Sequence, residues 1–556
     1  MPLLVANRRR GVVIATTLVV LTLVLAVVWD WTWFRPLLQH YVRERSGREL
    51  SFDKLHVGLD AGLSPRIAFD GLRVQNAPWA GRQVPLISAH EIAFTFTWAS
   101  LFEDKLVVSR LRLVDADVDM ERQADGLRNW RLTRPDDKGP GRIKVLTLDA
   151  VRSRIHVIHA GIALDLDAAS TPLAFVQTLP RHPDLPLEAS IAFSGTLAGT
   201  RFDGTALAGQ VLSFVDSGKP FGLRGSVRAG GAELLAEGSV TDMIALRHLD
   251  VDLRAKRGRS DAAGRVDVRR DPGDDARTAV HASLTSERVD LHDLSGRSSD
   301  AQASQALMQR LRSFDADIDW HIARLDVSAP IPPVQNARLQ ARLAQGVLTA
   351  DRIVLSLARG TLNVRGRLDA SAEQPSVTLA ASAIGLHVDD FAGPSRQASA
   401  LGGELDAQLA WQARGPSWRS WLRSGSGTLA ASLAHGSMPA SLDAKLALDA
   451  PGVVAAFFRR GARVPVHCSS LHIEFKNGKG TTRELHVDTD RVAVAGRGAV
   501  DLGDERFEVV LTPRLHRSAL FALERSVQVK GRFDDPVVTL VERDDSAPTT
   551  TCAPRG

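Results

Sequence analysis

The 556-residue sequence contains a single tyrosine, and aromatic residues make up only 5% of it. That scarcity counts against an outer-membrane barrel, whose girdles need Tyr and Trp at both interfaces, and against a surface that stacks nucleic-acid bases. Two cysteines, Cys468 and Cys552, are present. They allow one disulfide at most and match no metal-ligand spacing. No long block of one charge occurs either: 69 basic and 64 acidic side chains, net +5, are mixed along the chain, so nucleic acid is not an expected partner. What is abundant is aliphatic. The chain is 44% apolar, enough for about two to four ordinary domains or one extended architecture.

Long hydrophobic runs are also scarce, and the one that exists lies at the N-terminus. Arg8, Arg9 and Arg10 precede an uncharged stretch from Gly11 to Val28, followed by Trp29, Trp31 and Trp33. About 18 residues at about 1.5 Å each give roughly 27 Å, close to the hydrocarbon thickness of a bilayer, with the tryptophans at the level of an interfacial belt. A cleaved signal peptide would have a shorter apolar region and a small-residue cleavage site, whereas Asp30, Trp33 and Arg35 follow here. The sequence therefore predicts a single-pass anchor over 11–29, with the basic segment 1–10 cytoplasmic and the bulk of the chain on the far side.

Beyond a short amphipathic helix, Phe34 to Arg45 with Leu37, Leu38, Tyr41 and Val42 on one side, the hydrophobic period becomes two. Ile92, Phe94, Phe96 and Trp98 alternate with Ala93, Thr95 and Thr97, the pattern of a half-buried strand. Ala116, Val118 and Met120 alternate with Asp115, Asp117 and Asp119, and the parity slip at Val114 predicts a bulge. Ile162, Leu164 and Leu166 repeat the pattern, as do Leu249, Val251 and Leu253, then Ile318, Trp320 and Ile322, and near the end Leu471, Ile473 and Phe475. Glycine turns such as Gly230-Gly231 favour antiparallel meanders over βαβ units. Helical spacing is clearest from Ala301 to Phe314 and weaker at Trp418 to Leu422 and Val453 to Arg460. Periodicity alone leaves two architectures open, several closed sandwiches or one long curved sheet whose apolar face is partly uncovered.

Signatures of catalysis fail on geometry. His156 and His159 are three apart in a strand, so they point to opposite faces. Asp115, Asp117 and Asp119 start like a calcium loop but place Met120 where glycine is required and Gly126 where a bidentate Glu is required; Asp315, Asp317 and Asp319 fail likewise at Trp320. The Gly-Lys pairs at Gly218 and Gly478 lack the other residues of a phosphate loop. No enzyme activity, cofactor or metal is expected.

Three stretches resemble the AsmA family of inner-membrane-anchored envelope proteins. They are Ser46-Gly-Arg48 through Gly71-Leu-Arg-Val74 to Asn76-Ala-Pro-Trp79; Asp125-Gly-Leu-Arg-Asn-Trp130; and Leu471 to Val541 with Asp488-Thr-Asp490, Gly496-Arg-Gly498, Val529-Lys-Gly531 and Asp535-Pro-Val537. Arg525-Ser-Val527 departs from the proline often found there in the family. The resemblance implies a mainly β fold: a transmembrane helix, then a long, curved, largely antiparallel sheet forming a hydrophobic groove, with a few short helices. It implies segments 30–180 and 441–541 as family-like N- and C-terminal β regions, 181–440 as middle groove repeats, and 542–556 as a tail. It also implies a bacterial inner-membrane protein, mostly periplasmic, that carries phospholipid between membranes, with bilayer lipid, acyl chains and outer-membrane or envelope proteins as partners. The alternative is a non-enzymatic assembly factor for outer-membrane proteins or surface polymers. On the groove reading Ile92, Phe94, Phe96, Trp98, Val118, Leu164, Leu166, Val251, Leu253 and Ile318 line the trough. At about 15 residues per strand and turn, the chain predicts roughly 30 strands.

Overall fold

The computed structural model describes residues 30–102, 106–130, 143–209, 211–213, 220–241, 247–270, 277–294, 307–327, 331–391, 401–440, 463–516, 525–533 and 535–543. Arg8 to Arg10, the run Gly11 to Val28, Trp29 and the expected helix Val453 to Arg460 lie outside these residues. Among the described residues no helix is long and apolar enough to cross a membrane. They form 31 strands and a few short helices, and the chain divides into two compact units, Met1–Ala255 with Asp267–Pro272, and Lys256–Val266 with Gly273–Gly556.

The first unit opens with a 3₁₀ turn, Trp31–Phe34, and the helix Arg35–Ser46, closed by Gly47 in the left-handed region. Leu38 packs inward, whereas Leu37 and Tyr41, one turn apart on the flank, stay exposed. The strands are β1 (Leu50–Ser51), β2 (Lys54–Leu59), β3 (Pro65–Val74), β4 (Ile87–Phe96), β5 (Leu106–Arg122), β6 (Ile143–Val145), β7 (Thr147–Val151), β8 (Arg154–His159), β9 (Leu164–Thr178), β10 (Pro186–Leu197), β11 (Thr200–Ala208), β12 (Val211–Ser213), β13 (Phe221–Ala229) and β14 (Ala232–Thr241). Strands β2 to β5 and β8 to β11 pair antiparallel in sequence order, β11 pairs with β13, and β5 runs parallel to β6, β7 and β8. Gly230 and Gly231, both at positive φ, close the β13–β14 hairpin, the turn geometry that matches strand twist. The unit boundary falls in β15 (His248–Arg257) and β16 (Ser260–Arg270).

The second unit contains β17 (Thr278–Ser286), β18 (Val289–Asp290), β19 (Phe314–Asp326), β20 (Val334–Ala344), β21 (Val347–Ser356), β22 (Thr361–Asp369), β23 (Ser376–His387), β24 (Gly402–Arg414), β25 (Ser426–Pro439), β26 (Arg463–Lys476), β27 (Lys479–Thr489), β28 (Val492–Asp501), β29 (Arg506–Leu515), β30 (Arg525–Arg532) and β31 (Pro536–Glu542). From β19 onward each strand pairs antiparallel with the next. The helix Trp418–Ser424 forms as predicted, capped by Ser417. Of the helix expected over Ala301 to Phe314, the first six residues lie outside the described ones; residues 307–311 are helical, but Phe314 opens the strand, because the period-two run Asp315, Asp317, Asp319 begins there and Phe314 pairs with Thr278.

Candidate functional site

Each unit presents one sheet face whose residues are apolar strand after strand. In the first unit, ladder partners across β2, β3, β4, β5 and β7 read Val57, Ile67, Phe94, Leu111 and Leu148, and beside them Leu55, Phe69, Ile92, Leu113 and Ala150. A third row, Val74, Ile87, Val118, Ile155 and Ala168, lies on the same side although the sequence parity has reversed. The reversal occurs along one line of partners, where Gly71, Asp115 and Arg152 all adopt positive φ. The bulge predicted at Val114 does not form; the parity slip is instead this kink at Asp115. It leaves the β4–β5 register intact and keeps both Leu113 and Val114 buried. Arg152 grips Asp115 with two hydrogen bonds, 2.7 and 2.8 Å, and those bonds hold the Asp115 carboxyl below its ordinary pKa.

The second unit carries the longest row. Ala282, Ile318, Ala341, Ala350, Gly366, Leu379, Trp411, Gly427, Phe475, Gly480, Val500, Phe507, Gly531 and Pro536 are successive ladder partners, and every one is aliphatic, aromatic, proline or glycine. Gly480 in this row is a seat for large neighbours. A Cβ at Gly480 would lie 2.5 Å from Val500 Cγ1 and 2.6 Å from Phe475 Cε1, and the Trp411 and Phe475 rings meet edge to face at 5.3 Å on either side of Gly427. Parallel rows flank it, one running Leu284, Trp320, Leu339, Ile353, Val364, Ala381, Leu409, Leu429 and Ile473. Ile318, Leu339, Ile353, Val364, Leu379, Leu409 and Leu429 are only half-buried. Fully closed packing occurs instead in small clusters such as Val492 with Val494.

Among the predicted lining residues, Phe94, Val118, Leu164, Leu166, Leu253 and Ile318 are half-buried on their strands. Ile92, Phe96 and Val251 are buried, at 3%, 6% and 5% exposure. Trp98 is a correction: β4 ends at Phe96, and Trp98 sits beyond it, exposed, donating its indole N–H to the Leu63 carbonyl at 2.8 Å. Ile162 likewise falls in a 3₁₀ turn before β9. Sequence reasoning missed Leu379, Trp411 and the glycine seat, and placed Phe475 on an apolar strand face without assigning it to the trough. The signal was available in principle, as large and small residues placed at matching parity on consecutive hairpins.

The opposite face is wet. His156 Nδ1 lies 2.8 Å from Asp167, and with Asp165 the three side chains bring potential ligand atoms within 4.8 Å of one another. Both aspartates are exposed, and cross-strand His–Asp pairs recur at His56–Asp70 and His248–Asp267, so this is surface ion pairing of a repeated kind. Asp115, Asp117 and Asp119 all lie along β5 and form no loop.

Two of the motifs quoted from the sequence meet in space. Asn129 is fully buried; its amide donates to Asn76 Oδ1 at 3.0 Å and the Asp119 carbonyl at 2.8 Å, and its oxygen accepts the Glu121 N–H at 2.8 Å. Asn76 in turn donates to the Asp119 carboxylate at 2.9 Å. Near the C-terminus, Gly496 makes room for Leu485 and Leu511, whose methyls would lie 2.0 and 2.9 Å from a Cβ there. Arg48 is buried, which lowers its guanidinium pKa. A family model described as AsmA family matches residues 7–140 and 274–485. No curated protein and no solved structure matches the chain.

Proposed function

The chain belongs to the AsmA family, and on that premise we propose that it is a membrane-anchored envelope protein that carries phospholipid by its acyl chains along an uncovered apolar sheet face. The observation that carries this reading is the fourteen-strand row from Ala282 to Pro536, flanked by rows of half-buried aliphatic residues. At about 4.8 Å per strand the row follows roughly 60 Å of sheet. A closed sandwich would bury such residues almost completely; a trough leaves them for a mobile guest. An acyl chain needs no fixed hydrogen bond, and at about 0.8 kcal/mol per methylene a tail of about 16 carbons gains on the order of 10 kcal/mol. The ion-paired opposite face keeps the outside in water.

Compartment is supported by chemistry. Cys468 on β26 is disulfide-bonded, and disulfides persist in oxidising compartments such as a periplasm. The basic N-terminus and the apolar run Gly11 to Val28 then orient the anchor with its N-terminus in the cytoplasm.

The test is lipid occupancy. Full-length protein extracted in mild detergent is expected to carry phospholipid by native mass spectrometry, and photoreactive residues at Leu379 and Leu409 are expected to crosslink it. Protein free of lipid and unlabelled at both positions would favour the assembly-factor reading.

A further inference from the structure

Two chain connections at one end of the first unit's sheet expose large apolar side chains. Leu59 pairs with Pro65 and Phe96 with Val108, so the β2–β3 turn and the β4–β5 connection emerge side by side. There Leu59, Leu63, Trp98 and Phe102 are 46%, 69%, 53% and 87% exposed. The two connections are tied together by the Trp98 indole N–H donating to the Leu63 carbonyl.

This tip is built, not frayed. Asp60 Oδ1 accepts the N–H groups of Gly62 and Ser64 at 2.9 and 2.8 Å, and the Leu63 N–H donates to the Asp60 carbonyl. Ser100 is 2% exposed and its hydroxyl donates to the Thr97 carbonyl at 2.9 Å. Leu63 itself stands at φ +58, a conformation that glycine adopts freely and that disfavours a branched side chain by about 1 kcal/mol or more. The sequence nevertheless puts leucine there, aimed at solvent.

What covers these side chains is indicated by the chain that precedes the described residues. The uncharged run Gly11 to Val28 ends two residues before Asp30. Asp30 caps the turn at Thr32, and Thr32 Oγ1 accepts the Leu55 N–H at 3.4 Å. Leu55 is four residues from Leu59 along β2, about 13 Å. The described chain therefore begins, two residues after the apolar run, within one short stretch of strand from the tip.

We infer that the tip formed by Leu59, Leu63, Trp98 and Phe102 dips into the surface of the bilayer that anchors the chain, as a second contact that fixes how this unit stands on the membrane. A single helix leaves the unit free to swivel; two contacts remove that freedom. Tryptophan and leucine are suited to the headgroup boundary, the indole keeping its N–H bonded while its ring is buried in lipid. The inference rests on the anchored topology proposed above.

Full-length protein in vesicles of phosphatidylethanolamine and phosphatidylglycerol, carrying benzoylphenylalanine singly at Leu63, Phe102, Trp33, Asp125 or Leu409, distinguishes the possibilities. Asp125 lies beyond the opposite end of β5 and serves as background. Lipid adducts are expected at Leu63 and Phe102 at the level seen at Trp33, falling to the Asp125 background once detergent replaces the bilayer. Background labelling at both tip positions in vesicles overturns the proposal. So do adducts that survive detergent, which mark carried lipid, and adducts to a second copy of the chain. Leu409 reports cargo independently: its failure to label would sink the carrier reading while leaving the tip result intact, and Trp33 unlabelled in vesicles would overturn the anchored topology and the tip contact that rests on it.

Discussion

The amide of Asn129 satisfies three polar groups in a place water cannot reach. Removing it takes that partner from Glu121 N–H and the Asp119 carbonyl, while Asn76 Oδ1 keeps the Ala77 N–H, and a buried unsatisfied group costs about 1–3 kcal/mol. Asn129→Ala is therefore expected to lower stability by about 3 kcal/mol, seen as a lower midpoint of chemical unfolding; an unchanged midpoint would mean the network is ornamental. Asp115 behaves differently because it is exposed. Its folded-state pKa is depressed by the hydrogen bonds from Arg152, so whatever the pair contributes is present above the ordinary carboxylate range and is lost as pH falls through the lowered value. The melting-temperature gap between wild type and Asp115→Asn is expected to be small at neutral pH and to close on acidification. A gap that widens in acid would contradict the pairing.

Strands in this protein are shaped by their neighbours. The parity change runs along one line through Gly71 of β3, Asp115 of β5 and Arg152 in the β7–β8 turn, so an apolar face that would otherwise cross to the wet side stays on one side of the sheet. Packing density along the faces also varies, from half-buried to sealed positions. Leu379 and Leu409 are half-buried, while Val492 and Leu187 have no exposure. An Asp at Leu379 or Leu409 is still reached by water, so protein levels are expected to stay near wild type while lipid crosslinking drops. At Val492 or Leu187 an unpaired buried carboxylate costs several kcal/mol, comparable with the stability of a whole domain, and the protein is expected to disappear from immunoblots. Equal loss at all four positions would identify closed cores throughout.

For the whole molecule, two expectations concern the membrane and its far side. An alkaline phosphatase fusion after Asp60 is expected to be active, since the anchor would export everything beyond it; an inactive fusion reverses the topology. Cys468 in protein taken from intact cells is expected to resist alkylation until reduced, because its sulfur is already bonded. Immediate alkylation would remove the argument for an oxidising compartment.

The order and type of the elements were determined by the sequence alone. Alternation of large apolar with Asp, Arg and Thr is a property of a single strand, so β5, β9, β19 and β26 could be located by inspection, as could the Trp418–Ser424 helix and the Gly230-Gly231 turn. A count of roughly 30 strands followed from spacing, and 31 are found among the described residues. The family, too, was legible in short motifs, of which those from Ser46 to Trp130 lie within the residues the family model matches. Tertiary structure decided what one strand cannot encode. Alternation carried Trp98 onto the face of β4 although the strand stops at Phe96, because strand ends are fixed by where the partner's ladder stops. The row from Ala282 to Pro536 depends on register between strands far apart in sequence, and register is a pairwise quantity. Above all, Ile353 and Val492 look alike in sequence, yet one is half-covered and the other sealed. Burial is set by what packs across a face, which no single strand encodes.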